Sequence, residues 1–289
     1  MAEPERGSSS AAAVLAGQPT GRAAVLGSPI GHSLSPLLHR AGYQALGLTG
    51  WRYDAIECDA AQLPALLART GPDVAGYSCT MPLKRAVIEV ADRVSEVAAA
   101  IGAGNTLLRT ADGWLADNTD WCGVRDALAD AGVAANGRVV LIGAGGTAQA
   151  ALAALTAAEH VVVAVRDAGR TTELAAAAER LGVRLTVVEL AEDTRLSAEL
   201  TAADVVVSTV PAGAADDLAG HEWRTGQVVF DVLYHPWPTV LATAAAARGT
   251  TVVGGAELLL FQAVRQFELM TGRAAPVPAM RAALSAARP

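Results

Sequence analysis

Three features of the sequence predict an α/β protein of two domains. The chain has 289 residues, more than one ordinary domain needs to bury a core. Short apolar runs bounded by turn residues alternate with segments of helical periodicity, the pattern of a mainly parallel sheet. One such run, residues 138–142, leads directly into Gly143-Ala144-Gly145-Gly146-Thr147-Ala148 and then a helix, the arrangement of a dinucleotide-binding βαβ unit. The expected fold class is therefore α/β, with a Rossmann domain in the second half and an α/β substrate domain with a mainly parallel sheet in the first.

The elements follow in order along the chain. Residues 1 to about 20 are Ala/Ser-rich and are expected to form a disordered tail; Glu3 and Glu5 spoil the basic region that a signal peptide needs before an apolar run. Residues 23–27 read as a strand that ends at Ser28-Pro29. Ser35, followed by Pro36 and a helical apolar pattern, predicts a helix with Ser35 at the N-cap and Pro36 at the first helical position, ending near Gly47. A strand over 51–56, a helix over about 60–68 and a strand over 74–80 come next, the last running into Met81-Pro82-Leu83-Lys84. A helix over about 120–131 precedes the glycine loop, an alanine-rich helix follows it to about 158, and a strand over 161–165 completes the unit. Further strands are expected at 185–188, 205–208, 228–232 and 251–253, and helices at about 256–271 and 277–287. The substrate domain is expected over 21–121, completed by the C-terminal helices in 256–289, and the cofactor domain over 122–255. No Pro/Gly linker marks the boundary, so motif position sets it.

Composition removes several function classes. A net charge of −7 without any basic cluster carrying interleaved aromatics argues against a nucleic-acid partner. No stretch approaches the ~18 uninterrupted apolar residues of a membrane helix. Cys58, Cys79 and Cys122 lie far apart with neither disulfide-framework nor metal-ligand spacing, so no metal is expected and a reducing cytoplasm fits best. The partner expected is a small molecule, bound by a monomer or homodimer.

The glycine loop carries the clearest chemistry. Gly143, Gly145 and Gly146 let the backbone turn tightly and approach a pyrophosphate, which the amides of the helix start at Thr147 then meet. Ala148 stands where the pattern needs only a small side chain for helix and strand to pack. The cofactor is read ~20 residues further on, where an acidic residue takes the ribose hydroxyls of NAD and arginine accepts the phosphate of NADP. Here Arg166 and Arg170 are spaced to hold one phosphate from two sides, favouring NADP (NADPH). Asp167 offers a competing NAD-like reading, and both arginines would also suit a solvated loop.

Of 22 basic residues, Lys84 is the only lysine. An arginine keeps its proton, whereas a lysine can act as an acid or base. A single lysine can survive by chance in an arginine-biased chain, so its setting decides. Around it the polar clusters are Ser33-Leu34-Ser35, Thr80 to Lys84, Gly104-Asn105-Thr106 and Asp117-Asn118-Thr119-Asp120. In their order and spacing, together with Gly27-Ser28-Pro29-Ile30, the glycine loop, Asp231, Tyr234 and Gln262, the chain resembles the shikimate dehydrogenase family over about residues 23–285.

That resemblance implies reduction of 3-dehydroshikimate to shikimate with NADPH, the fourth step of the route to chorismate and the aromatic amino acids. It implies a catalytic pair, Lys84 and Asp120, at the mouth of a cleft between the domains. It assigns Ser33 and Ser35, assisted by Tyr234, to the substrate carboxylate. Thr80, Lys84, Asn105, Asp120 and Gln262 fall to the ring hydroxyls, and Thr209 and Gly255 join the cofactor residues. Plainer readings stand beside these: Asp120 and Ser35 as helix caps, Asn105 and Thr106 as turn formers, Gln262 as an exposed helix residue. Two departures from the family pattern matter, namely Ser78 where asparagine is usual and Trp121 where glycine commonly follows the aspartate. They keep open a quinate, quinate/shikimate or aminoshikimate dehydrogenase using NAD. A ligand-binding regulator without chemistry is the remaining alternative.

Overall fold

The computed structural model describes residues 20–287. The expected N-terminal tail lies outside the described residues except for Thr20, which opens the first strand. The first part of the chain forms β1 (Thr20–Gly27), α1 (Ser35–Ala45), β2 (Gly50–Glu57), α2 (Leu63–Ala68), β3 (Val74–Cys79), α3 (Ala86–Val90), β4 (Arg93–Val94), α4 (Glu96–Ile101), β5 (Thr106–Thr110) and β6 (Gly113–Asp117). Then follow α5 (Asp120–Asp130), β7 (Arg138–Ile142), α6 (Gly146–Ala154), β8 (His160–Val165), α7 (Thr172–Leu181), β9 (Leu185–Glu189), α8 (Asp193–Ala202) and β10 (Val205–Ser208). The chain closes with β11 (Val228–Asp231), α9 (Val240–Ala247), β12 (Thr251–Gly254), α10 (Gly255–Thr271) and α11 (Val277–Ala286).

These elements make two compact units. The first holds the described residues up to Ser95, then Gly104–Asp117 and those from Ala263 on; the second holds Glu96–Ala103 and Asn118–Gln262. Relative to boundaries at 121 and 255, the second unit thus gains α4, the start of α5 and the first turns of α10. The reason is packing: Ile101 and Ala103 bury against Ala150 and Ala153 of α6, and Ala100 accepts a bond from the Arg180 guanidinium of α7 at 2.9 Å. A Cβ on Gly123 of α5 would stand 2.8 Å from the Leu258 carbonyl of α10, so that glycine lets the two helices touch.

In the first unit the strand order is β2-β1-β3-β5-β6-β4. Strand β1 runs parallel to β2 and β3, β4 is parallel to β6, and β5 is antiparallel to β3 and β6. The β5–β6 hairpin is absent from the sequence-based expectation, which placed no strand between residues 80 and 120. Leu26, Leu63, Leu83, Val87 and Leu107 form the centre of one core layer, each with no exposed surface. An aromatic layer lies elsewhere in the unit, where His39 of α1 stacks on Tyr53 at 4.0 Å between ring centroids and lies 6.1 Å from Phe267 of α10.

The second unit holds a six-stranded sheet in the order β12-β11-β10-β7-β8-β9, every neighbouring pair parallel. Numbered from β7, the order reads 3-2-1-4-5-6, the doubly wound arrangement whose direction reverses between β7 and β10. Valine and isoleucine runs suit such strands because helices cover both faces. Val140, Ile142, Val162, Val206 and Val229 are accordingly at most 2% exposed.

His39 makes the first unit sensitive to acid. Burial lowers its pKa from 6.5 to about 3, partly offset by the Gln266 side chain beside it. The folded state therefore refuses a proton that the unfolded chain accepts, and stability falls as pH drops from about 6.5 towards 3, with a limiting slope of ~1.4 kcal/mol per pH unit. His39→Phe should flatten this acid limb, as read from urea midpoints between pH 4 and 7. A variant that loses stability in parallel with the wild type would remove His39 as the cause.

Candidate active site

Most of the polar residues singled out in the sequence lie near strand ends, and each unit has its own set. In the first unit the loop after β1 is anchored to the end of β2. The Ser28 hydroxyl donates to Glu57 at 2.6 Å and the Ile30 amide donates to the same carboxylate at 3.2 Å. A Cβ on Gly27 would come within 2.5 Å of the Thr80 methyl and 2.8 Å of the Met81 carbonyl, so glycine lets the loops after β1 and β3 lie together. The Ser28 amide bonds the Met81 carbonyl at 3.0 Å.

The serines behave differently from the cap expected at Ser35. The N-cap position of α1 is Leu34, and Ser35 is the first helical residue, 7% exposed. Ser33 is the residue that satisfies the helix start, its Oγ accepting from the Ser35 amide at 3.3 Å. The register moves by one because the turn closed by the Ser33 amide on the Ile30 carbonyl brings Ser33, not Ser35, opposite the first free amide.

Thr80 and Lys84 follow β3. The Thr80 amide bonds the Leu26 carbonyl at 2.9 Å, and its carbonyl accepts from Leu83 at 2.7 Å, closing a turn that ends at Lys84. The Lys84 carbonyl accepts from the Gly104 amide at 2.7 Å, which brings the chain's only lysine beside Asn105 across twenty residues of sequence. Asn105 is 3% exposed and Thr106 fully buried, so neither is a surface turn former. Met81, between Thr80 and Lys84, is 74% exposed.

In the second unit Asn118, Thr119 and Asp120 are buried at 1%, 0% and 7% exposure. The N-cap of α5 is Thr119, without a side-chain cap bond, and the Asp120 amide is taken by the Asn118 side chain at 3.0 Å. Asp120 is therefore the first helical residue and not the cap. Asn118 also donates to the Ala103 carbonyl at 2.9 Å, which fixes the turn. Gln262 is 7% exposed rather than a surface residue, and its amide donates to the Leu259 carbonyl at 2.9 Å. Tyr234 is 42% exposed in the loop after β11.

The glycine loop leaves β7 at the point where the strand order reverses. Gly143 has φ +106°, and a Cβ there would stand 2.6 Å from the Thr209 hydroxyl, so both conformation and space demand glycine. Thr209, at the end of β10, donates its hydroxyl to the Ile142 carbonyl at 2.8 Å and its amide to the same oxygen at 2.9 Å. Around Gly145 and Gly146 the protein's own atoms leave open space, nothing lying within 4 Å of an added Cβ. Their freedom from side chains therefore serves no internal packing, and it suits a pyrophosphate laid against the start of α6. Thr147 is half-buried behind them and Ala148 fully buried. Gly255 is constrained on another ground, since any side chain there would overlap the Val232 carbonyl.

At the end of β8, Arg166 and Arg170 are exposed. Asp167 between them accepts the Gly169 amide at 2.8 Å and caps the short turn Ala168–Thr171. The Ala168 amide bonds Glu189 at the end of β9 at 3.0 Å. Asp231, 2% exposed, accepts the Thr239 hydroxyl at 2.7 Å and the Leu233 amide at 3.2 Å, and burial raises its pKa above the usual carboxylate value against the pull of those two bonds. Among the described residues no group of three His, Cys, Asp or Glu side chains is placed to hold a metal ion, and no helix is long and apolar enough to cross a membrane.

Comparison with known proteins identifies the family. The sequence model of the shikimate dehydrogenase substrate binding domain matches residues 25–107, and that of the shikimate 5'-dehydrogenase C-terminal domain matches 255–284. Between them, the saccharopine dehydrogenase NADP binding domain model matches 139–253. Shikimate dehydrogenase (NADP(+)) of Moorella thermoacetica is 38% identical over 271 residues, covering 90% of this chain and 91% of its own. The crystal structure of Mycobacterium tuberculosis shikimate dehydrogenase matches with a TM-score of 0.84 at 42% identity, covering 92% of this chain and 99% of that one. The shikimate 5-dehydrogenase of Mycobacterium fortuitum matches at 0.82 and 44%, covering 91% and 97%. With relatives this similar over nine-tenths of both chains, the protein belongs to the shikimate dehydrogenase family.

Proposed function

We propose that the protein reduces 3-dehydroshikimate to shikimate with NADPH, in the cytoplasm. The observation that carries this reading is the setting of Lys84. The only lysine of the chain ends the turn after β3, and its backbone is tied to Gly104, next to the buried Asn105. Reduction of a ketone develops negative charge on its oxygen, and a donor must meet that oxygen as the charge forms. The bound reduced nicotinamide supplies the hydride. Lys84 gives its ammonium proton to the carbonyl oxygen, which becomes the hydroxyl of the product, and Asp120 is the carboxylate that partners it. Ser33 and Ser35, with Tyr234, take the substrate carboxylate, while Thr80, Asn105 and Gln262 take ring oxygens. Hydroxyls and amides suit a hydroxylated ring because they both donate and accept.

On the cofactor side the amides of Gly143 to Thr147 receive the pyrophosphate, Ala148 lets α6 pack on the sheet, and Thr209 and Gly255 shape the nicotinamide side. Arg166 and Arg170 hold the 2′-phosphate. The NAD-like reading of Asp167 weakens because its carboxylate is engaged by the Gly169 amide, turned into its own loop. Initial rates with shikimate and quinate, each against NADP and NAD, test the whole reading: the shikimate and NADP combination should give the highest kcat/KM, and parity with quinate or NAD would reject it.

Lys84→Ala should lower kcat by about 10²- to 10⁴-fold, the range for lost general acid-base help, with a much smaller effect on KM. Lys84→Arg should fail as well, because guanidinium keeps its proton. Steady-state kinetics with near-normal kcat for either variant would remove Lys84 from the chemistry.

Arg166→Ala should raise KM for NADP by about 10-fold or more while leaving NAD nearly unchanged, since only the 2′-phosphate differs between them. Adding Arg170→Ala should raise it further. Equal loss for both cofactors would show that these arginines do not read the phosphate.

A further inference from the structure

Asp231, the last residue of β11, is a buried carboxylate to which the reading above gives no role. It is 2% exposed, and among the described residues no Lys, Arg or His side chain forms an ion pair with it. A carboxylate taken out of water without a cation beside it is costly unless hydrogen bonds replace the lost hydration. Both of its replacements come from the segment that follows. The Leu233 amide donates to Oδ1 at 3.2 Å, and the Thr239 hydroxyl donates to Oδ2 at 2.7 Å. One side chain thus grips both ends of the loop over residues 232–238, which carries Tyr234.

Neither strand pairing nor helix capping requires this grip. The backbone of β11 is paired with β10 on one side and β12 on the other, a ladder to which the Asp231 side chain adds nothing. Thr239 caps α9 with its own oxygen, which accepts the Ala242 amide at 3.1 Å, and that bond does not involve Asp231. What the carboxylate adds is a fixed distance between the end of β11 and the start of α9. Two further contacts hold the loop between them. The Gly255 amide donates to the Leu233 carbonyl at 3.1 Å, so the residue before Tyr234 is bonded at both its N–H and its C=O. The Trp237 indole lies against Gly254, where an added Cβ would stand 2.8 Å from the ring. Tyr234, 42% exposed, is therefore placed by bonds on either side of it.

We propose that Asp231 is a positioning residue for the carboxylate end of the substrate: by tying Leu233 to Thr239 it sets where the Tyr234 hydroxyl stands. This rests on the assignment of Tyr234 to the substrate carboxylate. The role is one of shape and not of charge, because an acceptor for Leu233 and a partner for Thr239 are all that the loop needs. A carboxamide in the same place supplies both. Its oxygen accepts the Leu233 amide, and its amino group donates to Thr239 Oγ, which as a hydroxyl oxygen can accept that bond beside the one from Ala242. Alanine supplies neither.

Steady-state kinetics over a double-mutant cycle of Asp231 and Tyr234 test this, with thermal midpoints measured alongside. Tyr234→Phe should raise KM for shikimate by about 5- to 20-fold, the loss of one hydrogen bond to a charged group. Asp231→Ala should raise it by about as much, with kcat and KM for NADP changed less than about three-fold, and the double variant should be within about two-fold of Tyr234→Phe alone. Asp231→Asn should return KM for shikimate to within about three-fold of the wild type. If Asp231→Ala does not fold, Thr239→Val removes the other half of the link and carries the comparison, with Thr239→Ser as its rescue. Additive effects in the double variant would overturn the inference and leave Tyr234 in the site. So would an asparagine variant as poor as the alanine variant, an equal rise in KM for shikimate and NADP, a loss confined to kcat, or an unchanged KM for shikimate in a folded Asp231→Ala or Thr239→Val enzyme. An unchanged KM in Tyr234→Phe would instead overturn the assignment of Tyr234 itself, and the role of Asp231 with it.

Discussion

Burial of the central strands on both faces governs where this protein can do chemistry. Every residue of β3, β10 and β11 is buried, and β7 is buried after its first residue. A strand covered on both sides has no wall along which a polar ligand can lie, so polar groups are confined to the places where strands end. The segments after β1 and β3, including the first residue of α1, carry Ser33, Ser35, Thr80 and Lys84, and those after β7, β8, β10 and β11 carry the glycine loop, Arg166, Arg170, Thr209 and Tyr234. In the second unit the reversal of strand order adds a requirement. Strands β7 and β10 are neighbours whose connections diverge, and the Thr209 hydroxyl and amide on the Ile142 carbonyl bind the two ends together where glycine alone fits.

The same confinement explains what the sequence revealed. Runs such as Val139 to Ile142 and Val205 to Val207 are apolar without alternation because both faces are covered, and all nine expected strands exist near their expected limits. The glycine loop was legible because backbone geometry restricts residue type there. Helix starts were less so. Serine and aspartate before a helix read as caps, yet Ser33 and Asn118 supply the side-chain oxygens while Ser35 and Asp120 stand one position inside. Sequence alone does not distinguish a residue at the cap from its neighbour, since both are polar and one turn of loop decides between them. The β5–β6 hairpin left a usable trace in Asp112-Gly113 between two stretches of strand-forming residues, with Gly113 at φ +113°.

Gln266 left no such trace. A glutamine in the middle of an amphipathic helix is ordinarily a solvated residue, and its partners Ser78 and Thr106 lie 188 and 160 residues away. Only the packing of α10 beside β3 and β5 turns it inward. Gln262, one turn earlier on α10, is also buried, although its sequence context equally suited an exposed position.

The chain of bonds through Gln266 also bears on Ser78, which stands where the family commonly has asparagine. A smaller side chain suggests vacant space that a bulkier or more hydroxylated ring would exploit. Yet Ser78 is 4% exposed, its proton goes to Gln266, and its oxygen accepts from Tyr53, which is itself fully buried. The Ser78 hydroxyl is thus engaged by a phenol on one side and a carboxamide on the other. A hydroxyl already engaged in both directions offers little to a ligand, because any new bond would break one in a region where an unsatisfied polar group costs ~1 to 3 kcal/mol. Serine at this position is therefore tied into the core by its neighbours rather than left facing open space. Its polar contact is made to a helix that reaches in from the far end of the chain.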